Sequence, residues 1–406
     1  MTRLSGRASR LASRVFRMNW FWAAALLLAV VAALPLLAEP GLLNTRGGGD
    51  SPFLLQRLQQ LETAVRDGHF PVRWMPDANY GYGYPFYNYY APLSIYITAV
   101  FRLFGFSSVR AIQLSQVTAF VVAAAGMFAL ARRWWRNEWV ALVTAVAYTI
   151  APFHMVNVYV RGDSLAEFWA MAWYPLVLLA GDSLAAAEGR QVGRQAALFG
   201  LSYAALVLSH NISALIFSPF LLLYLLLRWR RAALPLPRYG GRLLVGLLLG
   251  LGLAAWFWMP ALAEQNLAQL GPVTTGYFHY SGHFRGLNLA QPTFLFNYDA
   301  GAADGGPFRM GLVQTLLIAA GLLAWWRQDH TASSRLPRLF VTGGLLLATF
   351  MITPLSRPLW DHLPLLPFTQ FPWRFLSVQA LMGALAAGGL GLWAARMDGW
   401  RGGGLL

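Results

Sequence analysis

The segment His154-Met-Val-Asn-Val-Tyr-Val-Arg161-Gly-Asp163-Ser-Leu-Ala-Glu167 places a histidine, an arginine and two carboxylates between two apolar runs, 138–153 and 166–182. Both runs approach the length of about 20 residues that an α-helix needs to cross a bilayer. Charged groups are costly at the edge of hydrocarbon, so the cluster is a candidate functional site. The alternative is a solvated loop whose charges face water. Asp163 and Glu167 share one face if a helix begins at Ser164.

The composition extends this picture to the whole chain. The 406 residues are 57% hydrophobic, 15% aromatic and 12% charged, whereas soluble domains carry about 25% charged residues. The sequence contains no cysteine, which excludes a disulfide framework and a thiolate metal site. It therefore predicts an all-α polytopic membrane protein with about ten transmembrane helices. The predicted spans are 20–38, 109–131, 138–153, 166–182, 196–209, 212–227, 242–260, 308–326, 338–354 and 376–395.

The basic residues indicate the orientation. The run 91–106 is short, contains Pro92 and Arg102, and is interpreted as a helix that lies in the interface or dips back. With the N-terminus inside, the inner segments then hold 20 of the 31 arginines and 5 of the 16 acids. This is the positive-inside pattern. The net charge of +15 thus reports topology and contact with the lipid bilayer, and no nucleic acid partner is expected.

This topology predicts a single transmembrane domain over 1–406. Residues 1–19 form a basic cytoplasmic tail, 39–108 form the first outer loop with surface helices, and 261–307 form the second outer loop. The inner loops contain no phosphate-binding glycine motif, so a cytosolic nucleotide substrate is not expected.

The first outer loop contains the earliest candidate acid. Asp50 or Ser51 can cap a helix that begins at Pro52, and Asp50 can also serve as a carboxylate at the membrane surface. Leucines at 54, 55, 58 and 61 have the spacing of an amphipathic helix suited to lying on the membrane.

An aromatic stretch follows from Asn79 to Tyr90, after His69. Its tyrosines, Tyr82 and Tyr84 among them, are interpreted either as an interfacial belt or as rings that stack against sugars or prenyl chains. His69, Tyr82 and Tyr84 are therefore candidate substrate contacts.

Further polar residues lie near the outer ends of later spans. Ser209-His210-Asn211 forms a tight turn, where His210 either caps a helix or faces a substrate cavity beside Asn211. Gln370-Phe-Pro-Trp-Arg374-Phe opens the last span, so Arg374 is either an interfacial anchor or a phosphate ligand. In the second outer loop, Tyr280-Ser-Gly282 disfavours the helix that a metal site at His279 and His283 would need, and a mobile lid is expected instead.

The order of a first span, an acidic outer loop with surface helices, a tyrosine-rich stretch and an interfacial helix resembles the GT-C superfamily of polyprenyl-phosphate-sugar-dependent glycosyltransferases. Several strings also resemble a bacterial membrane family labelled "6-pyruvoyl-tetrahydropterin synthase-related", and the resemblance covers most of the chain. The sequence offers neither the three-histidine zinc site nor the soluble α/β fold that this label implies. The strings are Gly49-Asp50-Ser-Pro, Tyr159-Val-Arg161-Gly-Asp163-Ser-Leu-Ala-Glu167, Ser209-His210-Asn211, Trp258-Met-Pro260-Ala-Leu-Ala-Glu264 and Gln370-Phe-Pro-Trp-Arg374-Phe.

The resemblance implies roles for individual residues. Asp50 matches an acid placed near the acceptor and the anomeric carbon of the sugar. Asp163 and Glu167 match a second acidic site for acceptor or metal, although their spacing departs from the Asp-x-Glu of some members. A divalent cation, Mg or Mn, held by these three acids is therefore an open alternative. Relative to longer members, the chain is either a minimal form or a fragment.

We therefore expect transfer of a sugar from a polyprenyl-phosphate-linked donor to an acceptor, in the cell envelope outside a bacterial plasma membrane. Asp50, Asp163 and Glu167 are the predicted catalytic carboxylates. Arg161 and Arg374, with His210, are predicted to hold the phosphate, because guanidinium groups bind phosphate oxygens in pairs. Glu264 and Gln370 are further candidate contacts. One alternative is a transporter or flippase of lipid-linked glycans, which would be expected to show inverted repeats. A second is a structural assembly subunit. The sequence does not indicate which proteins, if any, the chain binds.

Overall fold

The computed structural model describes residues 20–43, 51–162, 164–231, 234–269, 271–299, 305–328 and 334–403, without the side chains of 273 and 398–403. Within these ranges the chain is helical, and its only β contacts are the isolated bridges Met75–Tyr84 and Ala290–Met310. The predicted all-α class is confirmed. The basic tail 1–19, Asp50 and Asp163 lie outside the described residues.

Seventeen α-helices follow one another along the described chain. The first seven are α1 (Trp20–Ala38), α2 (Ser51–Arg66), α3 (Phe86–Tyr89), α4 (Leu93–Leu103), α5 (Ser108–Trp135), α6 (Glu138–Thr149) and α7 (Pro152–Met155). The next five are α8 (Leu165–Ala185), α9 (Gln191–Ser209), α10 (Asn211–Trp229), α11 (Leu236–Leu253) and α12 (Ala255–Ala263). The last five are α13 (Leu312–Gln328), α14 (Arg335–Ile352), α15 (Arg357–His362), α16 (Leu376–Ala387) and α17 (Gly391–Gly403).

The predicted spans correspond to these helices, with two corrections. Among the residues that the structure describes, seven apolar helical segments are long enough to cross a membrane, and the number rises to nine if each of two bent pairs is one span. The predicted spans 138–153 and 242–260 fall on these bent pairs, Glu138–Thr149 with Pro152–Val160 and Leu236–Leu253 with Ala255–Ala263, whose bends are 40° and 71°. Hydropathy measures the apolar length of a run and carries no information on its direction, so bends escape it. The predicted span 308–326 overlaps α13, which begins at Leu312, ends at Gln328 and has 17 residues.

Two spans form the centre of the bundle. In an 18-residue apolar window of α8 the share of buried residues is 78%, and in such a window of the last span, Pro372–Met397, it is 89%, whereas in α1 it is 22%. Small residues permit the close packing: a Cβ atom added at Gly389 would lie 2.1 Å from the carbonyl oxygen of Gly321 in α13. Without bulky side chains, helix backbones can approach closely inside a membrane.

The segment predicted to be the first outer loop packs on this bundle through α2. Leu54, Leu58 and Leu61 are buried in the same apolar core as residues of α4 and α5. The buried leucine face therefore contacts protein, whereas the sequence predicted that it would lie on the membrane. Ser51 begins the helix, and its hydroxyl donates a hydrogen bond to the carbonyl of Leu43 (3.0 Å). The helix α4 spans only 11 residues, which is too short for a crossing.

The helix α8 defines the two ends of the bundle. Glu167 lies in its first turn and Asp182 in its last, which separates them by about 22 Å along the axis. Asp182 accepts hydrogen bonds from Arg133 of α5 and from Arg228 of α10 (2.9 Å). Arginines from two predicted inner segments therefore meet at the Asp182 end.

Candidate active site

Arg161 and Glu167 are joined at the other end of α8. After α7 the chain makes a π-helical turn, Val156–Val160, a feature that is frequent at functional sites. Arg161 follows this turn, and its Nη1 donates hydrogen bonds to Oε2 of Glu167 and to Oδ1 of Asn157 (2.7 Å). Asn157 is in turn fixed by donating to the carbonyl of Phe153 (2.8 Å). The guanidinium group is thus held in one orientation before any substrate binds.

Arg374 reaches the same place from the far end of the sequence. It lies in the 3-10 turn Pro372–Phe375 that opens the last span, and its Nη1 donates to the carbonyl of Thr369 (2.7 Å) and to Oε1 of Gln370 (3.3 Å).

The indole ring of Trp373 brings the two arginines together. Its centroid lies 5.2 Å from Cζ of Arg161 and 5.9 Å from Cζ of Arg374, within the range of cation–π contacts. The ring is stacked between Phe308 (4.1 Å between centroids) and Phe371 (4.9 Å). The second outer loop packs here too, because Tyr277 and His283 contact the ring of Phe371.

His210 joins the cluster from the turn between α9 and α10. Its Nδ1 accepts a hydrogen bond from the backbone N–H of Ser213 (3.2 Å), so the histidine caps α10 and the proton of its neutral ring is on Nε2. The Ser213 carbonyl accepts from the hydroxyl of Tyr174, which also contacts the hydroxyl of Ser377 (both 3.3 Å), and Ser377 donates to the carbonyl of Arg374 (2.8 Å). Three helices are thereby tied together beneath the site.

The environment keeps His210 neutral at physiological pH. Burial is the largest influence and lowers its pKa to about 4; the carboxylate of Glu167 opposes this shift, while Arg374 and Arg161 reinforce it. A neutral imidazole can donate from Nε2 to a phosphate or hydroxyl oxygen without adding charge.

The lowered pKa of His210 predicts a pH-dependent stability. Between about pH 4 and 6.5 the unfolded chain binds a proton at this residue that the folded chain does not. The contribution of His210 to the free energy of unfolding is therefore complete above pH 6.5 and is lost as the pH falls through this range. We expect His210→Asn, which can still cap α10, to show a smaller fall in melting temperature than the unsubstituted protein between pH 7.5 and 5. Equal falls, measured by thermal unfolding in detergent, would contradict this origin.

The two carboxylate oxygens of Glu167 differ in their hydrogen bonding. The residue is only 2% exposed; Oε2 pairs with Arg161, and Oε1 has no hydrogen-bond partner among the described residues. A buried carboxylate oxygen without a partner is energetically costly, which fits a ligand atom at this position. The described residues include no group of three histidine, aspartate or glutamate side chains able to hold a metal ion.

The neighbours of the two undescribed acids also meet. Ser51 follows Asp50 and Gly162 precedes Asp163 in the sequence. Ser51 and Gly162 line one small cavity together with Leu36, Gly41, Leu42, Leu43, Gln113, Gln116 and Val158.

Other candidate residues are not joined to the cluster by the described contacts. His69 is exposed and Tyr82 is 83% exposed, while Tyr84 lines a separate cavity of about 460 Å³ beside Arg57. The carboxylate of Glu264 accepts from Asn88 (2.7 Å), and its carbonyl accepts from Tyr89 (2.8 Å), so it ties α12 to the aromatic stretch.

The three remaining candidates, Asn211, Gln370 and His154, lie in different surroundings. Asn211 is exposed at the start of α10, and Gln370 bonds directly to Arg374. His154, from the segment that opened the sequence analysis, is fully buried against the rings of Tyr148 and Phe168 and belongs to the core.

Two residues of the cluster escaped the sequence analysis. Asn157 precedes Arg161 by four positions, the spacing at which side chains meet on a helix, and this signal could have identified it. Trp373 adjoins Arg374 in sequence, but its contact with Arg161 depends on the packing of distant segments.

Comparisons with known proteins agree with this architecture. The sequence profile of a family described as "6-pyruvoyl-tetrahydropterin synthase related domain; membrane protein" matches residues 87–397. No curated protein matches the chain at a significant level.

Among solved structures, the fold is similar to the oligosaccharyltransferase of Archaeoglobus fulgidus. The apo form is 15% identical, with 91% of this chain and 50% of that chain covered and a TM-score of 0.54. The oligosaccharyltransferase AglB from the same organism, in complex with an inhibitory peptide and a dolichol-phosphate, is 16% identical, with the same coverage and a TM-score of 0.53. A complex with Zn and sulfate is 17% identical, with 89% and 48% covered and a TM-score of 0.50. This chain spans about half the length of these proteins, and the expected GT-C-like fold is confirmed.

Proposed function

Because the chain belongs to the 6-pyruvoyl-tetrahydropterin synthase related family of membrane proteins, and because its fold is similar to that of an oligosaccharyltransferase, we propose that it is a glycosyltransferase. The proposed reaction moves a sugar from a polyprenyl-phosphate-linked donor to an acceptor on the non-cytoplasmic face. The observation that carries the proposal is the meeting of Arg161, Glu167 and Arg374 around Trp373 at one end of this fold. A dolichol-phosphate in a structural neighbour supports the class of donor.

The proposed reaction assigns each charge a task. An acceptor hydroxyl attacks the anomeric carbon, the bond from that carbon to the phosphate oxygen breaks, and the lipid phosphate leaves with the bonding electrons. The acceptor proton passes to the carboxylate of Asp50, a general base placed after the first span. Arg161 and Arg374 bind the phosphate and stabilise the charge that develops on it.

The acidic residues complete the proposal. Oε1 of Glu167, which has no hydrogen-bond partner among the described residues, is proposed to accept a hydrogen bond from an acceptor hydroxyl, and Asp163 is proposed as a second carboxylate for the acceptor. Asp50, Asp163 and Glu167 would also hold a divalent cation, Mg or Mn, whose charge would offset that of the phosphate. A structural neighbour was obtained in complex with Zn and sulfate.

The distribution of charge supports the orientation. The arginine-rich Asp182 end is assigned to the cytoplasmic face by the positive-inside rule, and we propose that the N-terminus is on that side too. The cluster around Trp373 is then assigned to the outer face of a bacterial plasma membrane, where lipid-linked sugars are available without a cytosolic nucleotide.

The test measures free polyprenyl phosphate, the product expected for any sugar and acceptor. The purified protein is reconstituted in vesicles with the lipid-linked sugars and glycans extracted from the cells that make it. We expect time-dependent release of the lipid phosphate, reduced roughly 100-fold in Arg374→Gln because a charge-stabilising donor is lost. Arg374→Lys should fall between, since it keeps the charge but lacks the planar fork.

The matched control is Arg357→Gln. Arg357 lies at the same end, is exposed and pairs with Asp361 (3.7 Å), so release should be unchanged. If the protein moves the lipid-linked sugar across the bilayer without releasing the phosphate, or if Arg374→Gln retains full activity in folded protein, the proposal is wrong.

A further inference from the structure

A second cavity lies at the opposite end of the bundle from the candidate active site. Its volume is about 950 Å³, and Asp182, in the last turn of α8, lies in its wall. It is therefore about 22 Å from Glu167 along the helix axis. Its lining includes the five arginines Arg132, Arg133, Arg136, Arg228 and Arg231.

The wall of this cavity is strongly basic. Five arginines line it against a single carboxylate among the described lining residues, Asp182. That carboxylate fixes Arg133 and Arg228 and also accepts from the hydroxyl of Tyr224 (2.6 Å), so part of the guanidinium array is held in place before a ligand arrives. Arginines arranged in this way suit the oxygens of a phosphate group.

The other part of the wall is apolar. Trp22 of α1, Phe128 and Trp134 of α5, and Leu336 and Pro337 of α14 line it. These residues lie at the ends of membrane-spanning helices, where an interfacial headgroup and the first carbons of its chains are found. Inorganic phosphate has no hydrocarbon to place against such a surface. A phospholipid has both a phosphate group for the basic part of the wall and carbon chains for the apolar part.

We propose that this cavity binds the phosphate-bearing headgroup of an anionic lipid from the leaflet at the arginine-rich end. The arginines take the phosphate oxygens, and the apolar wall takes the glycerol and upper acyl carbons. Basic pockets between transmembrane helices on the cytoplasmic side are suited to such headgroups. This site is separate from the proposed sugar transfer and does not depend on it.

The test uses the full chain in detergent and measures, by native mass spectrometry, the lipid retained after adding phosphatidylglycerol, cardiolipin or phosphatidylcholine. The variant is Arg136→Gln with Arg231→Gln, which leaves the partners of Asp182 intact. The matched control is Arg190→Gln with Arg194→Gln, two exposed arginines at the same end that are outside the cavity lining. Both pairs remove two positive charges from the same face.

We expect one anionic lipid to be retained by the unsubstituted protein and by the control, in preference to phosphatidylcholine. The cavity variant should bind it about 30-fold more weakly, the change that corresponds to about 1 kcal/mol for each lost arginine. Equal weakening in both variants would indicate diffuse attraction to the face and would overturn the proposal. Full displacement by inorganic phosphate at the lipid's own concentration would also overturn it, because the ligand would then be a soluble anion.

Discussion

Sugar transfer by the Asp50→Asn variant is expected to fall by about 100-fold or more. Asparagine has nearly the shape of aspartate but cannot accept the acceptor's proton, and loss of a general base typically costs 10²- to 10⁴-fold. The measurement is the release of polyprenyl phosphate by reconstituted protein, with insertion checked by the yield and melting temperature of the purified variant. Asp50 precedes Ser51, which lines a cavity together with Gly162, and this supports its assignment to the same site as Asp163.

Asp67→Asn provides the matched control for this experiment. Asp67 is exposed in the same outer loop, directly after α2, and the same change of charge there should leave transfer unaltered. Undiminished transfer by a folded Asp50→Asn protein would remove Asp50 from the mechanism.

The second large effect concerns the pair of Arg161 and Glu167. Arg161→Gln is expected to lower the free energy of unfolding by about 3 kcal/mol, because it leaves the nearly inaccessible carboxylate of Glu167 without its ion-pair partner. Glu167→Gln should also destabilise, and the double variant should lose clearly less than the sum of the two single losses. Thermal and denaturant unfolding of the purified proteins in one detergent measures all three changes.

The pair Arg102 and Glu62 is the reference for this cycle. It joins α4 to α2 at 2.8 Å, but the arginine side chain is 28% exposed, and such pairs contribute about 1 kcal/mol or less. If the losses at Arg161 and Glu167 simply added, or matched those of the reference pair, their proposed coupling would be wrong.

The sequence predicted the membrane-spanning helices well because hydropathy measures the property that a bilayer selects. The spans 20–38 and 196–209 match α1 and the C-terminal part of α9 closely. The bend after α11 was missed because Leu236–Leu253 and Ala255–Ala263 form one continuous predominantly apolar run, and only packing reveals their change of direction.

Individual residues of the candidate site could be identified from the sequence, but their spatial proximity could not. Arg161, Glu167 and Arg374 stood out because charges are rare beside apolar runs. Their common contact with Trp373 depends on how the last span packs against α8, which periodicity does not encode. Glu264 carried the same kind of signal, yet its described bonds go to Asn88 and Tyr89, which shows that a polar residue in an outer loop can serve to fasten the loop.

The stack of Phe308, Trp373 and Phe371 has a consequence for how this site could diversify. An indole has few rotatable bonds, and here both of its neighbours are also rings, so it offers one rigid surface that both Arg161 and Arg374 contact. A single substitution at position 373 would therefore change the positions of both guanidinium groups at once, although the residue itself carries no charge. In related chains, we expect the size of the anionic group that the two arginines can bind together to depend on the size of the side chain at this position.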